Sequence, residues 1–312
     1  MNEFKNKLNN LQSSSDFSQG QLYLVETING QSGFLLGNEK LYFVIKNGGG
    51  DADSITTTYL SLRTNIHINT IENSPTFTPG YYDVLIYNIG LDDSYLESFV
   101  ELCKMYINSS TAINFNEFFY SLLKLFEPSK ETSFSNLVGM FGELFFIKKM
   151  FNDFGVCLAD NWHNSLGPND KYDFSCSNAN IEIKTTTKAE MVFSLKHSQI
   201  FNDCKNYIAV INIDLDNSGL SVADLYEYFK VTKPFDNNLE FAIKLEKEKK
   251  KVAPLDFVIK KFTLSKFNVF INSKLNTIES IPDCIDSITY SYDFIGKESV
   301  PLEEVAKDIE QS

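Results

Sequence analysis

The sequence predicts an α/β (α+β) protein in two parts, a β-rich N-terminal module closed by helices over residues 1–128 and a strand-and-helix core over residues 129–312. Three observations predict it. Residues 18–50 alternate apolar and polar side chains, with Asn-Gly and Gly-Asn turn signals between the runs. Apolar residues then recur at helical spacing over 94–108 and 114–127. Beyond Glu127-Pro128-Ser129-Lys130, strand and helix patterns interleave, as they do where helices cover a sheet.

The first strands are expected at 21–25, 33–36 and 41–45, separated by Asn29-Gly30 and Gly37-Asn38. Gly48-Gly49-Gly50 opens a polar loop, and a further strand is expected at 82–87. Leu96, Phe99, Val100, Cys103 and Ile107 mark the apolar face of the first helix. In the core a helix is expected at 133–151, then strands near 155–160, 170–176, 180–187 and 206–215, with a helix near 221–230. Residues 237–251 read as a charged helix, and strands at 267–271 and 287–292 follow. Only the two ends read as unstructured.

Composition narrows the class. The 312 residues include 27 phenylalanines, ample for packed cores. No run approaches the ~18 consecutive apolar residues of a membrane-spanning helix. The first residues carry no apolar stretch of a secretory signal. The cysteines at 103, 157, 176, 204 and 284 form no close pair, which fits reduced thiols and a cytoplasmic location. A net charge of −13 excludes a simple nucleic-acid coating protein. It leaves room for a nuclease whose carboxylates hold metal, with affinity for nucleic acid weak or supplied by a partner.

The chemistry concentrates in a few residues. Glu143 is the one charged residue between Phe134 and Ile147, and its helical neighbours are Gly139, Met140, Phe146 and Ile147. A carboxylate on an apolar face is costly unless it is paired or binds a cation, although an edge glutamate reaching water leaves the same trace. Asp173 sits between Tyr172 and Phe174 in a short strand. In 181–186 the side chains alternate, so Glu182 and Lys184 share a face, ~6.6 Å apart at ~3.3 Å per residue. A hairpin turning at 177–180 would bring Asp173 to Glu182. Carboxylate oxygens suit Mg²⁺, which can activate water and polarise a phosphoryl oxygen, while an adjacent lysine offsets growing charge. A half-exposed strand with a charged outer face would show the same Glu-x-Lys.

Read together, Gly142-Glu143-Leu144-Phe145-Phe146, Tyr172-Asp173-Phe174 and Ile181-Glu182-Ile183-Lys184 resemble the helix-glutamate, aspartate and ExK elements of the PD-(D/E)XK superfamily. More narrowly, the chain resembles, over nearly its full length, a family of PD-(D/E)XK motif proteins from bacterial restriction and phage-defence loci. The residue before the aspartate is Tyr172 where the superfamily motif has proline. The resemblance implies a restriction-endonuclease-like core with a central mixed sheet flanked by helices. It also implies Mg²⁺, with Mn²⁺ able to substitute, held by Glu143, Asp173, Glu182 and the Ile183 carbonyl. Lys184 would assist catalysis, and Gln199 would approach the substrate phosphate. The implied substrate is DNA, and the implied setting is a defence system whose other proteins supply target recognition; oligomeric state stays open, a homodimer included. A catalytically silent nuclease fold serving as scaffold or DNA-sensing adaptor, and an RNase using the same residues, remain as alternatives.

Other motifs carry less. Asp214-x-Asp216-x-Ser218-Gly219 imitates an EF-hand start, but Leu225 stands at the twelfth position. Gly48-Gly49-Gly50-Asp51 lacks the Gly-Lys-Ser/Thr of a phosphate loop. His67, His163 and His197 show no metal spacing. The lysines of 244–251 pair at i,i+4 with Glu246 and Glu248, which predicts a solvated helix.

Overall fold

A computed structural model describes residues 2–13, 22–68, 77–89, 95–109, 113–126, 132–162, 172–201, 204–278, 285 and 287–310. The chain divides into two units, one of Met1–Pro128 with Asn237–Ile243, the other of Ser129–Asp236 with Lys244–Ser312. The boundary motif at 127–130, His163 and Cys284 lie outside the described residues.

The first unit is a six-stranded antiparallel sheet in the order β1-β2-β3-β6-β5-β4. Its strands are β1 (Tyr23–Asn29), β2 (Ser32–Gly37), β3 (Lys40–Lys46), β4 (Ser54–Thr56), β5 (Leu60–Ile68) and β6 (Gly80–Asn88). The Asn29-Gly30 signal makes the β1–β2 turn, where Asn29 Oδ1 accepts the Gln31 N–H at 3.0 Å. Helices α2 (Leu96–Asn108) and α3 (Phe115–Phe126) supply Phe99, Phe118, Phe119, Leu122 and Phe126 to a cluster with Phe34, Phe43, Leu62 and Tyr87. The amino end corrects the expectation of an unstructured start. It forms α1 (Asn2–Gln12), because Phe4 and Leu8, one turn apart, both bury in that cluster. β5 escaped the periodicity reading because Thr64 and Asn65 interrupt it, and β4 because it is three residues long. The register slips between Arg63 and Ile66, with Asn65 at φ 54°.

The second unit is built on a mixed sheet in the order β11-β10-β8-β7. It follows α4 (Phe134–Phe154) and contains β7 (Phe174–Ser175), β8 (Ala179–Thr186), β10 (Lys205–Ser221) and β11 (Lys261–Ile271). β8 runs parallel to β10 and antiparallel to β7, and β10 is antiparallel to β11. A two-stranded sheet of β9 (Val192–Lys196) and β12 (Thr289–Asp293) packs Leu195, Tyr292 and the following Phe294 against Ile208, Val210 and Phe270. On the other face of the mixed sheet, Phe146 of α4 stacks on Phe267 at 6.1 Å. Helices α5 (His197–Ile200), α6 (Val222–Val231), α8 (Pro254–Ile259) and α9 (Leu302–Glu310) complete this unit, and α7 (Leu239–Lys249) contributes residues to both units. The expected central mixed sheet flanked by helices is thus present.

Two expectations fail here. No strand forms at 155–160. Gly155, at φ 76°, caps α4 by donating its N–H to Phe151 O, and the chain meets the sheet only at Asn161, whose carbonyl accepts the Ser175 N–H, and at Trp162, in an isolated bridge to Phe174. Nor is α7 simply a solvated helix. Lys244 and Glu246 are buried, at 7% and 6% exposure, while Lys249 and Lys251 pair outward with Glu246 and Glu248 at i,i+3. Sequence spacing finds charge partners on a helix without saying which of its faces the fold covers.

Candidate active site

The hairpin of β7 and β8 pairs Phe174 with Ile181 and Ser175 with Asn180, which brings Asp173 alongside Glu182. Asp173 stands just before β7, and its Oδ2 accepts the Ile183 N–H at 2.6 Å. In a strand, the N–H and C=O of one residue face the same edge. The Ile183 carbonyl therefore faces the β7 side of β8, where Asp173 stands. Glu182 and Lys184 alternate away from Ile181 and Ile183, as expected, onto the face occupied by Ile208 and Val210. Glu182 is 6% exposed, and its Oε1 takes the Lys184 ammonium at 2.6 Å. Burying a carboxylate is expensive, and the adjacent lysine offsets part of that cost.

Glu143 arrives from the opposite layer. Gly142 sets the approach of α4 to β8, since a Cβ there would fall 1.7 Å from Thr185 Oγ1. Any side chain there would force Thr185 or the helix to shift, so with glycine the helix lies against the strand at this point and delivers Glu143 next in sequence. The Glu143 Oε2 accepts the Trp162 indole N–H at 2.7 Å. Burial pushes the Glu143 carboxyl up to about 7, against the pull of the Trp162 hydrogen bond. Glu248 and Glu182 raise it further, and Lys251 lowers it. Burial likewise pushes Asp173 well above the usual carboxylate range, and the charges of Glu143 and Glu182 push it the same way. The Ile183 N–H and Lys184 oppose them. The charges of Glu143 and Glu182 thus both act on Asp173, which stands at the β7 edge of the sheet.

Among the described residues, no three His, Cys, Asp or Glu side chains already stand as a formed cation cage. Mg²⁺ asks for less, one or two carboxylates with its own waters. Hard oxygen donors at partly buried, mutually repelling positions fit such a cation, whose charge would relieve the repulsion that raises Glu143 and Asp173.

Gln199 is buried in the short helix α5, and its Oε1 accepts the Lys196 N–H at 2.9 Å, a local cap. His197 bonds Tyr290 Oη through Nδ1 at 2.6 Å, between β9 and β12. The EF-hand lookalike sits within β10, where Asp216 Oδ1 accepts the Ser218 N–H at 2.9 Å as a turn. The residues that surround Glu143, namely Trp162, Glu248 and Lys251, were missed from sequence. The signal for Trp162 was present, since it is the only tryptophan in the chain.

A family model described as "Putative PD-(D/E)XK family member, (DUF4420)" matches residues 40–293. No curated protein and no solved structure matches the chain. No helix among the described residues is long and apolar enough to cross a membrane.

Proposed function

The chain belongs to this PD-(D/E)XK family, and from that membership we propose that it is a metal-dependent nuclease hydrolysing DNA phosphodiester bonds, acting in the cytoplasm in bacterial restriction or phage defence. The observation that supports the reading is the hairpin that sets Asp173 alongside Glu182, with the Lys184 ammonium 2.6 Å from Glu182 and Glu143 close enough for its charge to act on Asp173. We assign the chemistry to residues 129–312 and treat 1–128 as a separate module.

In this reading Glu143, Asp173, Glu182 and the Ile183 carbonyl hold Mg²⁺ or Mn²⁺. Once bound, the ion supplies an activated water and polarises the phosphoryl oxygen. Lys184, already within hydrogen-bond reach of Glu182, orients the attacking water and offsets charge growing on the phosphate. The Ile183 N–H fixes one Asp173 oxygen, so that carboxylate keeps its orientation. Gln199 is proposed to lie near the substrate phosphate.

The net charge of −13 favours a second reading, a silent nuclease fold that senses DNA for a complex. Incubating the purified chain with duplex DNA and with RNA, each with and without Mg²⁺ or Mn²⁺, separates the readings. Metal-dependent DNA cleavage is expected, lost by ~10²-fold or more in Asp173→Ala and Lys184→Ala while circular dichroism stays native. Full metal-dependent activity in both variants would end the assignment; a folded parent that binds no metal and cuts nothing would favour the adaptor.

A further inference from the structure

We propose that Trp162 is the positioning residue of this site, holding Glu143 for the cation and tying that glutamate to the strand that begins just after Asp173. The proposal rests on the reading of Glu143 as a metal ligand and deepens it.

Three contacts converge on Trp162. Its indole N–H donates to Glu143 Oε2 at 2.7 Å. Its backbone forms the isolated antiparallel bridge to Phe174, the residue after Asp173. Its carbonyl accepts the Lys244 ammonium at 2.7 Å. Trp162 and Lys244 are 3% and 7% exposed. One residue therefore touches both the helix carboxylate and the strand that follows Asp173, with a buried cation on its backbone.

The chemistry follows from counting lone pairs. A carboxylate that accepts one N–H on Oε2 still presents Oε1 with both of its lone pairs. Fixing Oε2 to a rigid ring sets the plane of the carboxylate and the direction in which Oε1 points. An indole can donate and cannot accept, so it always presents a hydrogen to the carboxylate and cannot compete for a metal. Partners of this kind, which orient a ligand without touching the ion, govern metal affinity elsewhere. Simple packing would be served equally well by phenylalanine, which keeps a ring and lacks the N–H.

The test is Mn²⁺ titration of the full-length protein by calorimetry, comparing the parent with Trp162→Phe. Affinity in the variant is expected to fall about 10–100-fold, the loss typical when a ligand's orienting partner is removed. In cleavage assays the Mn²⁺ concentration for half-maximal rate should rise by the same factor, while the rate at saturating Mn²⁺ stays closer to the parent's. Unchanged Mn²⁺ affinity in a folded Trp162→Phe protein overturns the proposal. If that variant does not fold, the parent decides. Its sole tryptophan should show a saturable emission change with the midpoint of the calorimetric titration, and flat emission during stoichiometric binding overturns the proposal. A parent that takes up no Mn²⁺ in calorimetry removes the metal site itself, and this proposal with it.

Discussion

Gly142 shows how one residue can govern the site without chemistry of its own. Its missing side chain leaves the room taken by Thr185 Oγ1, Cβ and Cγ2, which a Cβ would meet at 1.7, 2.8 and 3.1 Å. A Gly142→Ala change must displace α4 from β8, and overpacking of this kind costs ~1–3 kcal/mol. Lower urea-unfolding stability is expected, together with weaker metal-dependent cleavage, because Glu143 rides on the same turn. Thr185→Ala removes the nearest atom and leaves its Cβ, so the double variant should recover part of the loss. Strict additivity of the two changes in the unfolding measurements would contradict the contact. The Thr185 hydroxyl has no hydrogen-bond partner among the described residues, so its removal forfeits little.

The residue scale is also where the sequence was most legible. Glu143 stood out because its helical neighbours are apolar, and Glu182 with Lys184 because strand alternation puts both on one face. Asp173 needed the hairpin, which the turn residues of 177–180 made visible. Trp162 and Lys244 were not legible as a pair. They are 82 positions apart, and no local period relates a loop residue to a helix that packs near it. Lys244 even gave the opposite impression, since its spacing from Glu248 suggested a solvated face.

At the scale of elements, α6 offers the best-defined end in the core. Ser221 Oγ accepts the Asp224 N–H at 3.0 Å, and Asp224 Oδ2 accepts the Ser221 N–H at 2.8 Å. This reciprocal cap also joins α6 to the end of β10. Ser221→Ala should cost ~1 kcal/mol in urea unfolding. The hydrogen bonds from Ser221 hold Asp224 below the usual carboxylate range. A carboxyl depressed on folding adds stability above its unfolded value, lost as pH falls through the folded one. Asp224→Asn should therefore flatten stability against pH only in the acid limb, below ~4. An equal effect at pH 7 and pH 3 would remove the cap from the account. Element boundaries were less legible than the site. The helix at 2–12 rests on two buried side chains, and the loop after Gly155 on one left-handed residue, and neither leaves a long periodic trace.

For the whole molecule, charge governs how the site meets its substrate. With 41 acidic residues against 28 basic ones, the chain repels a polyanion at long range. Binding of the isolated protein to duplex DNA, measured with Ca²⁺ in place of Mg²⁺, should be no tighter than ~10⁻⁶ M at physiological salt. Its slope against salt should be shallow, corresponding to only a few neutralised phosphates. A steep slope with nanomolar affinity would mean that a basic groove exists within the acidic shell and that no helper protein is needed.

The two-residue length of β7 has its own consequence. Glu182 and Glu143 ride on an eight-residue strand and a 21-residue helix, whereas Asp173 precedes a pair of residues at the margin of the sheet. Local opening follows the least anchored segment. The aspartate arm therefore depends on contacts from outside the sheet, the Trp162 bridge to Phe174 and the Tyr172 hydroxyl on the Ser198 carbonyl, so loosening either would release Asp173 before Glu143 or Glu182.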